Sequence, residues 1–375
     1  MAKKGLLIGA IATLTGTAIG AGFLGIPGVI AKSGFLIGAL HIVALGLIMM
    51  FINLCIGEVS LRTKGNHQLP GYAKKYLGKI GAGKMFFAMI FGIYAALAAY
   101  ILGEGQSLSF VIFGTMKYSL IMGIAFFVVM AALIYTGIVA LKKGETFGLI
   151  AVISIVILIS IFFIPKISAG NLTYGTNGVM NSFLPFGVVL FSFLAFSVMP
   201  ELEKELKGNE RMMKKAIIIG SLIPIVLYLL FAFVTVGFAG KATPEIATFV
   251  FGRVPTILAV FTMFTAFFAL SMALRDMYIL DMKLKKNIAV TLTCFVPFAL
   301  FLAISRFGGA TFSYLLELSG VISGGFSGVA IVLMLMKAKK MGDRKPEYSM
   351  PMNWLIIALI ALLFAFGILY QFIFR

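Results

Sequence analysis

The segment GTAIGAGFLGIP at residues 16–27 lies inside the first long apolar run of the chain. It contains four glycines and ends at Pro27. A glycine in a helix interior costs about 1 kcal/mol relative to alanine, so the segment predicts a helix that is interrupted near Gly20. The spacing from Gly16 to Gly20 also suits close packing between helices, and an intact, tightly packed helix is therefore the alternative.

The whole sequence around this segment is strongly apolar. Hydrophobic residues make up 61% of the 375 residues and charged residues 12%, whereas soluble domains hold about 25% charged residues. Lipid favours helices of about 20 apolar residues as membrane spans, and the alternation typical of barrel strands is absent. Apolar runs of this length lie at 5–31, 34–61, 83–113, 118–141, 146–165, 181–201, 211–240, 254–281, 287–305, 310–337 and 351–373. We predict an all-α polytopic membrane protein with eleven transmembrane helices.

The distribution of Lys and Arg predicts the orientation of these helices. With a cytoplasmic N-terminus, 24 of the 31 basic residues fall inside, including Lys142 and Lys143 after the fourth span. The other seven fall outside: Lys32, Lys117, Lys166, Lys241, Arg253, Arg306 and Arg375. Because cytoplasmic loops are enriched in Lys and Arg, we predict a multi-pass cell-membrane protein with its N-terminus cytoplasmic and its C-terminus extracellular. The same distribution accounts for the net charge of +18 without a nucleic-acid partner.

A second weak point lies in the sixth apolar run. This run carries Pro185 near its start and the segment FSFLAFSVMP at residues 191–200. Each weak point opens a block of five helices, and because five is odd, the second block enters the membrane from the opposite side. Such blocks are typical of inverted-repeat transporters, whose sites lie near the membrane midplane. We predict repeats at 1–165 and 181–337, followed by a loop and an additional helix at 338–375.

Two interrupted helices would bring bare main-chain groups to the midplane. Their second halves begin near Gly22 and Ser197, and helix N-termini carry partial positive charge and unpaired N–H groups that suit a carboxylate. Their first halves end around residues 18–19 and 192–193 in carbonyls that we expect to be unpaired and to suit an ammonium group. Neither break has a charged side chain nearby, and unpaired charge at that depth is costly. The pattern favours a zwitterion with a neutral side chain.

Three aromatic residues and one acidic residue are further candidates for the site. Tyr100, Phe193 and Phe196 are placed to line an apolar pocket, although in a chain with 37 phenylalanines ordinary packing is the more common role. Glu104 lies in the third span between two glycines. Burial favours the protonated form of a carboxyl group, so Glu104 is a candidate to take up a proton from outside. A carboxylate that snorkels to the outer face or bonds to the backbone is the alternative.

The segments at the two breaks resemble a known family. Residues 16–27 resemble the first helix of the amino acid–polyamine–organocation superfamily, above all its amino acid/auxin permease branch and the bacterial tyrosine/tryptophan permeases. Residues 192–200 resemble their sixth helix, and residues 265–276 their eighth. The resemblance implies a leucine-transporter-type fold of 5+5 inverted repeats with helices 1 and 6 broken, and ion-coupled alternating access. It also implies that the substrate backbone is held by Ala18, Gly20, Ala21, Gly22, Phe23, Ser192, Phe193 and Phe196.

The same resemblance implies a coupling-ion site beside the first break. In sodium-coupled relatives, carbonyls that match Gly16 and Ile19 join two adjacent hydroxyl groups of helix eight. The corresponding pair here is Thr265 followed by Ala266. One hydroxyl is missing, which shifts the expectation from sodium toward a proton. A lysine that some proton-coupled relatives carry in helix five has no counterpart before Lys166.

These observations predict an ion-coupled importer of neutral amino acids, aromatic ones included. Its partners would be the amino acid, a proton or sodium ion, and the lipid bilayer. A permease for another small neutral solute and a non-transporting amino acid sensor are the alternatives. An enzyme would need a nucleophile, a metal cluster or paired acids at the midplane. The sequence offers none of these, with only two histidines far apart, so we expect neither a cofactor nor a metal.

Overall fold

The computed structural model describes residues 2–65, 67–136, 145–174, 178, 180–280 and 282–374. All regular secondary structure in these ranges is helical. The α-helices are α1 Ala2–Ala18, α2 Ile26–Ser33, α3 Phe35–Arg62, α4 Leu69–Phe113, α5 Ser119–Thr136, α6 Glu145–Phe163, α7 Gly170–Thr173, α8 Pro185–Ser192, α9 Met199–Glu205, α10 Met213–Ala239, α11 Arg253–Leu280, α12 Lys286–Phe307, α13 Phe312–Ser319, α14 Gly325–Met341 and α15 Trp354–Phe374. Short 3-10 helices and one π-helical turn, Gly320–Gly324, join some of them.

The predicted all-helical membrane class is confirmed. In the part of the chain that the structure describes, ten helices are long and apolar enough to cross a membrane. A bent pair at the start, Lys4–Ala18 with Ala21–Ser33, raises the number to eleven if it is counted as one span. The fourth predicted span is described only as far as Thr136, and Lys142, Lys143 and Arg375 lie outside the described residues.

The first span is interrupted where the glycine-rich segment predicts it. Helix α1 ends at Ala18, and Gly20 is extended, with φ −87° and ψ −161°. A 3-10 turn over Ala21–Leu24 follows, α2 begins at Ile26, and the two halves are bent by 50°. Pro27 lies in the first turn of α2, where its missing N–H removes no hydrogen bond. The alternative of an intact first helix is therefore wrong.

The sixth span is also interrupted. Helix α8 ends at Ser192, a 3-10 turn covers Phe196–Val198, and α9 begins at Met199. Between them Ala195 has φ −131° and ψ 7°, outside helical geometry. Residues 193–195 are thus not helical, and the α-helix resumes at Met199 after one 3-10 turn.

Close backbone packing holds the second interruption in place. Helix α8 packs on α13 and on the π-helical turn. A Cβ on Gly187 would lie 2.9 Å from the Cα of Glu317, and a Cβ on Gly320 would clash with the carbonyl of Gly187. Only glycine allows the two main chains to approach so closely. Helix α10 packs on α1, α2 and α3, which places it beside both breaks.

At one end of the bundle, a buried carboxylate anchors the loop that follows α14. Glu58 is fully buried and lies 2.7 Å from Arg62 Nε and 3.3 Å from Lys339 Nζ. The Ser349 hydroxyl and the Met350 N–H also donate to it. A buried charge is costly unless it is paired. Arg62 and Lys339 pair with the Glu58 carboxylate, and the donors from Ser349 and Met350 attach the loop after α14 to α3. We call this end the N-terminal face, since α1 begins there.

A second set of hydrogen bonds on the N-terminal face ties α9 to its neighbours. Glu203 accepts from the hydroxyl groups of Ser60 on α3 and Tyr72 on α4. Glu205 accepts from the Thr13 hydroxyl of α1 at 2.9 Å. The end of α9 is therefore joined to α1 at Thr13, five residues before the first break.

Candidate functional site

The two interruptions lie against each other. A Cβ on Gly22 would lie 2.6 Å from the Ser192 hydroxyl oxygen and 2.8 Å from Cδ1 of Phe191. No larger residue fits between the 3-10 turn of the first span and the end of α8. The predicted neighbours Gly22 and Ser192 are therefore brought together, although they are far apart in the sequence.

Both breaks expose unpaired main-chain donors. The first N–H groups of a helix have no carbonyl in a preceding turn, and none of the six N–H groups at these breaks donates to a described backbone carbonyl outside the helices. They belong to Ala21, Gly22, Phe23, Ala195, Phe196 and Ser197. Helix N-termini carry partial positive charge and bind anionic groups such as carboxylates. The breaks can therefore hold a carboxylate without a basic side chain.

The carbonyl groups at the breaks differ from the expectation. The Tyr228 hydroxyl on α10 lies 2.7 Å from the Ala18 carbonyl oxygen and 2.9 Å from the Ser192 carbonyl oxygen. Ala18 also accepts from the N–H of Gly20 at 2.9 Å. The expectation of unpaired carbonyls is thus wrong at Ala18 and Ser192, because the single O–H of Tyr228, on a neighbouring helix, is shared between the two carbonyl oxygens. The carbonyls of Ile19 and Phe193 accept none of the described bonds and remain suited to an ammonium group.

Sequence reasoning missed Tyr228 entirely. It is 1% exposed and packs among aromatic rings, stacked parallel to Phe23 at 6.2 Å and tilted against Phe193 at 5.0 Å. Both partners are predicted site residues, and Phe23 also contacts Phe231 edge-on. These aromatic rings pack the two breaks against α10. The contacts of Phe23 and Phe193 with Tyr228 are therefore packing contacts beside the candidate site.

Tyr100 and Ala266 approach the first break from the opposite side. A Cβ on Gly20 would lie 3.9 Å from the Tyr100 hydroxyl oxygen and 3.8 Å from the Ala266 Cβ, which are ordinary contact distances. Tyr100 is 2% exposed and contacts the ring of Phe191 edge-on. The structure therefore brings Tyr100 of α4 to Gly20, as the sequence predicts for a pocket residue.

The predicted coupling-ion residues are only partly brought together. Ala266 faces the first break, but the hydroxyl of its neighbour Thr265 donates within α11 to the Phe261 and Thr262 carbonyls, at 3.1 Å each. A Cβ on Gly16 would meet no atom within 4 Å. The Thr265 hydroxyl is thus engaged by its own helix, and the space beside Gly16 is open.

Glu104 lies in α4 one turn beyond Tyr100, a rise of about 6 Å for four residues. Its side chain is fully buried, and neither carboxyl oxygen has a hydrogen-bond partner among the residues that the structure describes. The flanking glycines allow this burial, since a Cβ on Gly103 would lie 2.7 Å from Met263 Sδ and one on Gly105 would lie 3.0 Å from the Gly123 nitrogen. An isolated carboxylate in such a place is costly, so burial favours the neutral acid.

The two halves of the first span differ in exposure. Thr17 is exposed and Gly20 is partly exposed, whereas every residue from 21 to 31 is buried. On α11, Ala269 and Ala273 follow Ala266 at helical spacing and are also exposed. The exposed residues beside the first break therefore lie on α1 and at Gly20, and the chain is buried from Ala21 onward.

Known proteins resemble this chain over most of its length. It matches the tryptophan/tyrosine permease family over residues 3–372. It is 28% identical to glutamine transporter 2 of Aliivibrio fischeri, over 62% of this chain and 61% of that protein. It is 27% and 30% identical to the tyrosine-specific transport systems 1 and 2 of Haemophilus influenzae, over 61% and 62% of this chain and 57% and 59% of those proteins.

The matched part of this chain thus spans about six-tenths of the length of these relatives. The family match, by contrast, covers nearly the whole chain, including both breaks and the helices that surround them. On that match, this chain belongs to the tryptophan/tyrosine permease family.

Proposed function

We propose that this chain is a secondary transporter that imports neutral amino acids, aromatic ones included, by alternating access. One observation carries the proposal: two interrupted spans meet at Gly22 and Ser192, and the N–H groups beside this meeting point donate to no described backbone carbonyl outside the helices. Such paired half-helix ends are how many secondary transporters bind substrate near the midplane. The substrate carboxylate would lie at the N–H groups of Ala21 and Gly22, and its ammonium group near the Ile19 and Phe193 carbonyls.

The chemistry of the surrounding residues supports a neutral substrate. Tyr100, Phe196 and Ala266 supply apolar surface near the breaks, and no ionised side chain lies within either break segment of the described chain. The relatives are named for tyrosine and glutamine, both of which have uncharged side chains. The substrate set proposed here is therefore amino acids with neutral side chains, and a cationic or anionic one would lack a counter-charge.

The order of the breaks supports an inverted repeat. The first break lies in the opening span of residues 1–165, and the second in the opening span of 181–337, with α15 in the segment 338–375. In the proposed orientation the N-terminus is cytoplasmic, as the excess of Lys and Arg favours. The N-terminal face is then the cytoplasmic face of a leucine-transporter-type carrier.

The coupling ion in this proposal is a proton carried by Glu104. Its carboxyl group is buried without a partner among the described residues, one helical turn from Tyr100. A carboxyl group is protonated when it is buried and loses its proton when water reaches it. The protonation of Glu104 would therefore change when the site opens to water. Ala266 has no hydroxyl group, so only Thr265 remains of the two adjacent hydroxyl groups that a sodium site of the related carriers would need.

Reconstituted liposomes test this proposal. Purified protein should accumulate labelled tyrosine or glutamine against a concentration gradient when the outside is made acidic, and a sodium gradient alone should not drive uptake. Unlabelled lysine and glutamate should compete poorly. Saturable binding without accumulation under either gradient would make the protein a sensor, and accumulation of a neutral solute in preference to every amino acid would replace the proposed substrate class.

A further inference from the structure

Helices α4, α11 and α12 meet close to the N-terminal face. The Tyr94 hydroxyl of α4 bonds to the Tyr278 hydroxyl of α11 and lies 3.2 Å from the Leu292 carbonyl oxygen of α12. The ring centroids of Phe86 and Tyr278 lie 6.5 Å apart. Two turns of α4 therefore pack against the end of α11, and one of them also reaches the first half of α12.

Nearer to the N-terminal face, the same side of α4 is open. Gly83 lies eleven residues before Tyr94 in continuous helix, which is about three turns, so both residues are on one side of α4. A Cβ on Gly83 would meet no atom within 4 Å. Lys79 and Lys84 are close to Gly83 on α4, and both are exposed. We call the open space beside Gly83 the α4 gap.

The loop between α11 and α12 brings three more lysines to the α4 gap. The Leu284 N–H donates to the Tyr278 carbonyl at 3.0 Å, so the loop folds back onto the end of α11. Lys283 and Lys285 flank Leu284, and α12 begins at Lys286. All three lysines are exposed. Because Tyr278 also contacts α4 within one turn of the gap, this loop forms the other side of the gap.

The five lysines around the α4 gap have no described counter-charge. None of them forms an ion pair within the described residues, whereas several other basic residues of the N-terminal face pair with carboxylates. Asp276, near the end of α11, pairs with Arg275. The loop also contains Asp281, which lies outside the described residues, so five positive charges stand against one negative charge. This balance favours an anion, and the N-terminus of α12 adds partial positive charge.

Exposed apolar side chains border the lysines on the same helices. They are Ile80 and Phe87 of α4, Leu280 of α11 and Ile288 of α12, with exposed fractions of 77%, 68%, 67% and 47%. Exposed apolar side chains on a spanning helix contact acyl chains, while lysines near its end extend to the headgroup region. A molecule that suits both features carries a negative headgroup on acyl chains.

We propose that the α4 gap binds the headgroup of an anionic phospholipid in the leaflet at the N-terminal face. Its phosphate would lie beside Gly83, because the long, flexible side chains of the five lysines can converge on one anion. Its acyl chains would lie along Ile80 and Phe87. Basic pockets between membrane helices bind anionic headgroups in this way. The lipid would join α4 to the loop between α11 and α12, and its binding depends neither on the amino acid nor on the coupling ion.

Thermal unfolding of the purified full-length chain in detergent tests this site without measuring transport. Phosphatidylglycerol, or phosphatidylcholine with the same acyl chains, is added at increasing ratios to the protein. Phosphatidylglycerol should raise the melting temperature saturably, by about 3 °C or more when the site is filled, and phosphatidylcholine should not. Inorganic phosphate at the same ionic strength should leave the melting temperature unchanged, because it has no acyl chains.

Two variants locate this effect at the α4 gap. Lys79→Gln combined with Lys84→Gln should weaken phosphatidylglycerol binding by about tenfold or more, since each lysine near a membrane surface contributes to the attraction of anionic lipid. Gly83→Leu fills the gap without a change in charge and should also weaken binding by about tenfold.

Each variant has a matched control. Lys340→Gln combined with Lys345→Gln removes the same charge from exposed positions on the N-terminal face. Gly9→Leu adds the same side chain to α1, at another position where a Cβ would meet no atom within 4 Å. Both controls should bind phosphatidylglycerol as the unchanged protein does.

Three results would overturn the proposal. Equal melting temperatures in the two lipids would show that no site distinguishes an anionic headgroup, and an equal shift with inorganic phosphate would make the gap a site for free anions. Both comparisons use the unchanged protein, so they decide the matter even if a variant does not fold. Equal weakening in the two lysine pairs would attribute lipid binding to the overall positive charge of the N-terminal face.

Discussion

The Tyr228 hydroxyl donates to the carbonyl oxygen of Ala18 over 2.7 Å, across the boundary between α10 and the first interrupted span. The same hydroxyl lies 2.9 Å from the carbonyl oxygen of Ser192 in the second. One side chain therefore holds the ends of both half-helices, at the point where each has lost its own hydrogen-bonding partners.

Removing this hydroxyl should loosen the meeting of the two breaks. We expect Tyr228→Phe to lower the free energy of unfolding by about 1–3 kcal/mol, since two buried carbonyls lose a donor while the ring contacts with Phe23 and Phe193 remain. We also expect the KM for uptake to rise, as measured in liposomes.

Tyr94→Phe is the matched control for that variant. The Tyr94 hydroxyl bonds to the Tyr278 hydroxyl at 2.6 Å and to the Leu292 carbonyl at 3.2 Å, away from the breaks. It should lose stability in the same way and keep its KM. Equal KM values in both variants would show that Tyr228 has a structural role alone.

The two glycines of the first break should respond differently to alanine. Gly22→Ala places its Cβ 2.6 Å from the Ser192 hydroxyl and should force the breaks apart, with uptake falling by at least tenfold. Gly20→Ala makes only ordinary contacts with Ala266 and Tyr100 and should retain uptake. Gly20→Leu should fill the space and abolish uptake while the protein still inserts. Normal uptake by both Gly22→Ala and Gly20→Leu would contradict the proposed site.

Replacing the buried carboxyl of Glu104 should uncouple transport. Glu104→Gln is a permanent mimic of the neutral acid, so we expect accumulation driven by a pH gradient to fall to background while exchange of labelled for unlabelled amino acid continues. Glu347→Gln, which alters an ion pair with Arg344 in the loop after α14, is the control and should behave like the unchanged protein. Undiminished accumulation by Glu104→Gln would exclude this residue as the proton carrier.

The two carboxylates on the N-terminal face should differ in their effect on stability. Glu58 is fully buried among Arg62, Lys339 and the loop after α14, so Glu58→Gln should lower the free energy of unfolding by about 3–5 kcal/mol. Asp343 pairs with Lys75 at the surface, where solvent screens the charges, so Asp343→Asn should cause a much smaller loss. Chemical unfolding of both variants measures the contrast, which a similar loss in each would refute.

The Asp343 contact should also depend on pH. Donation from Lys75, and then from the Lys64 N–H, holds the pKa of the Asp343 carboxyl below its usual value. Its contribution to stability is therefore present above the ordinary aspartate pKa of about 3.9 and is lost as the pH falls through the lowered value. The difference in melting temperature between the unchanged protein and Asp343→Asn should vanish in this acidic range. A difference that does not shrink as the solution is made more acidic would contradict the assignment.

Local sequence was sufficient to predict the class of fold and the first break. Apolar runs report membrane spans directly, and the glycine density around Gly20 lowers helix stability where the chain leaves the helix. The second break was predicted near Ala195, and the structure places it at residues 193–195. Both predictions depend on the intrinsic preferences of neighbouring residues, which a sequence displays.

The contacts that complete the site could not be predicted in this way. Tyr228 reaches two carbonyls more than thirty residues distant in the chain, and nothing near it distinguishes it from other tyrosines in apolar helices. The pairing of the Ala18 carbonyl was mispredicted for the same reason, since its partner comes from another helix.

The unpaired donors at the breaks are main-chain N–H groups, so most amino acid substitutions do not remove them. A missense change in the gene exchanges one side chain for another, yet every amino acid except proline retains its N–H. At residues 21–23 and 195–197, only a substitution by proline removes the N–H donor. Any other substitution can affect the breaks only through the size, shape or chemistry of its side chain. In the proposed transporter, side chains around the breaks can therefore change during evolution while the same N–H groups remain available to a substrate carboxylate, provided that the new side chains fit.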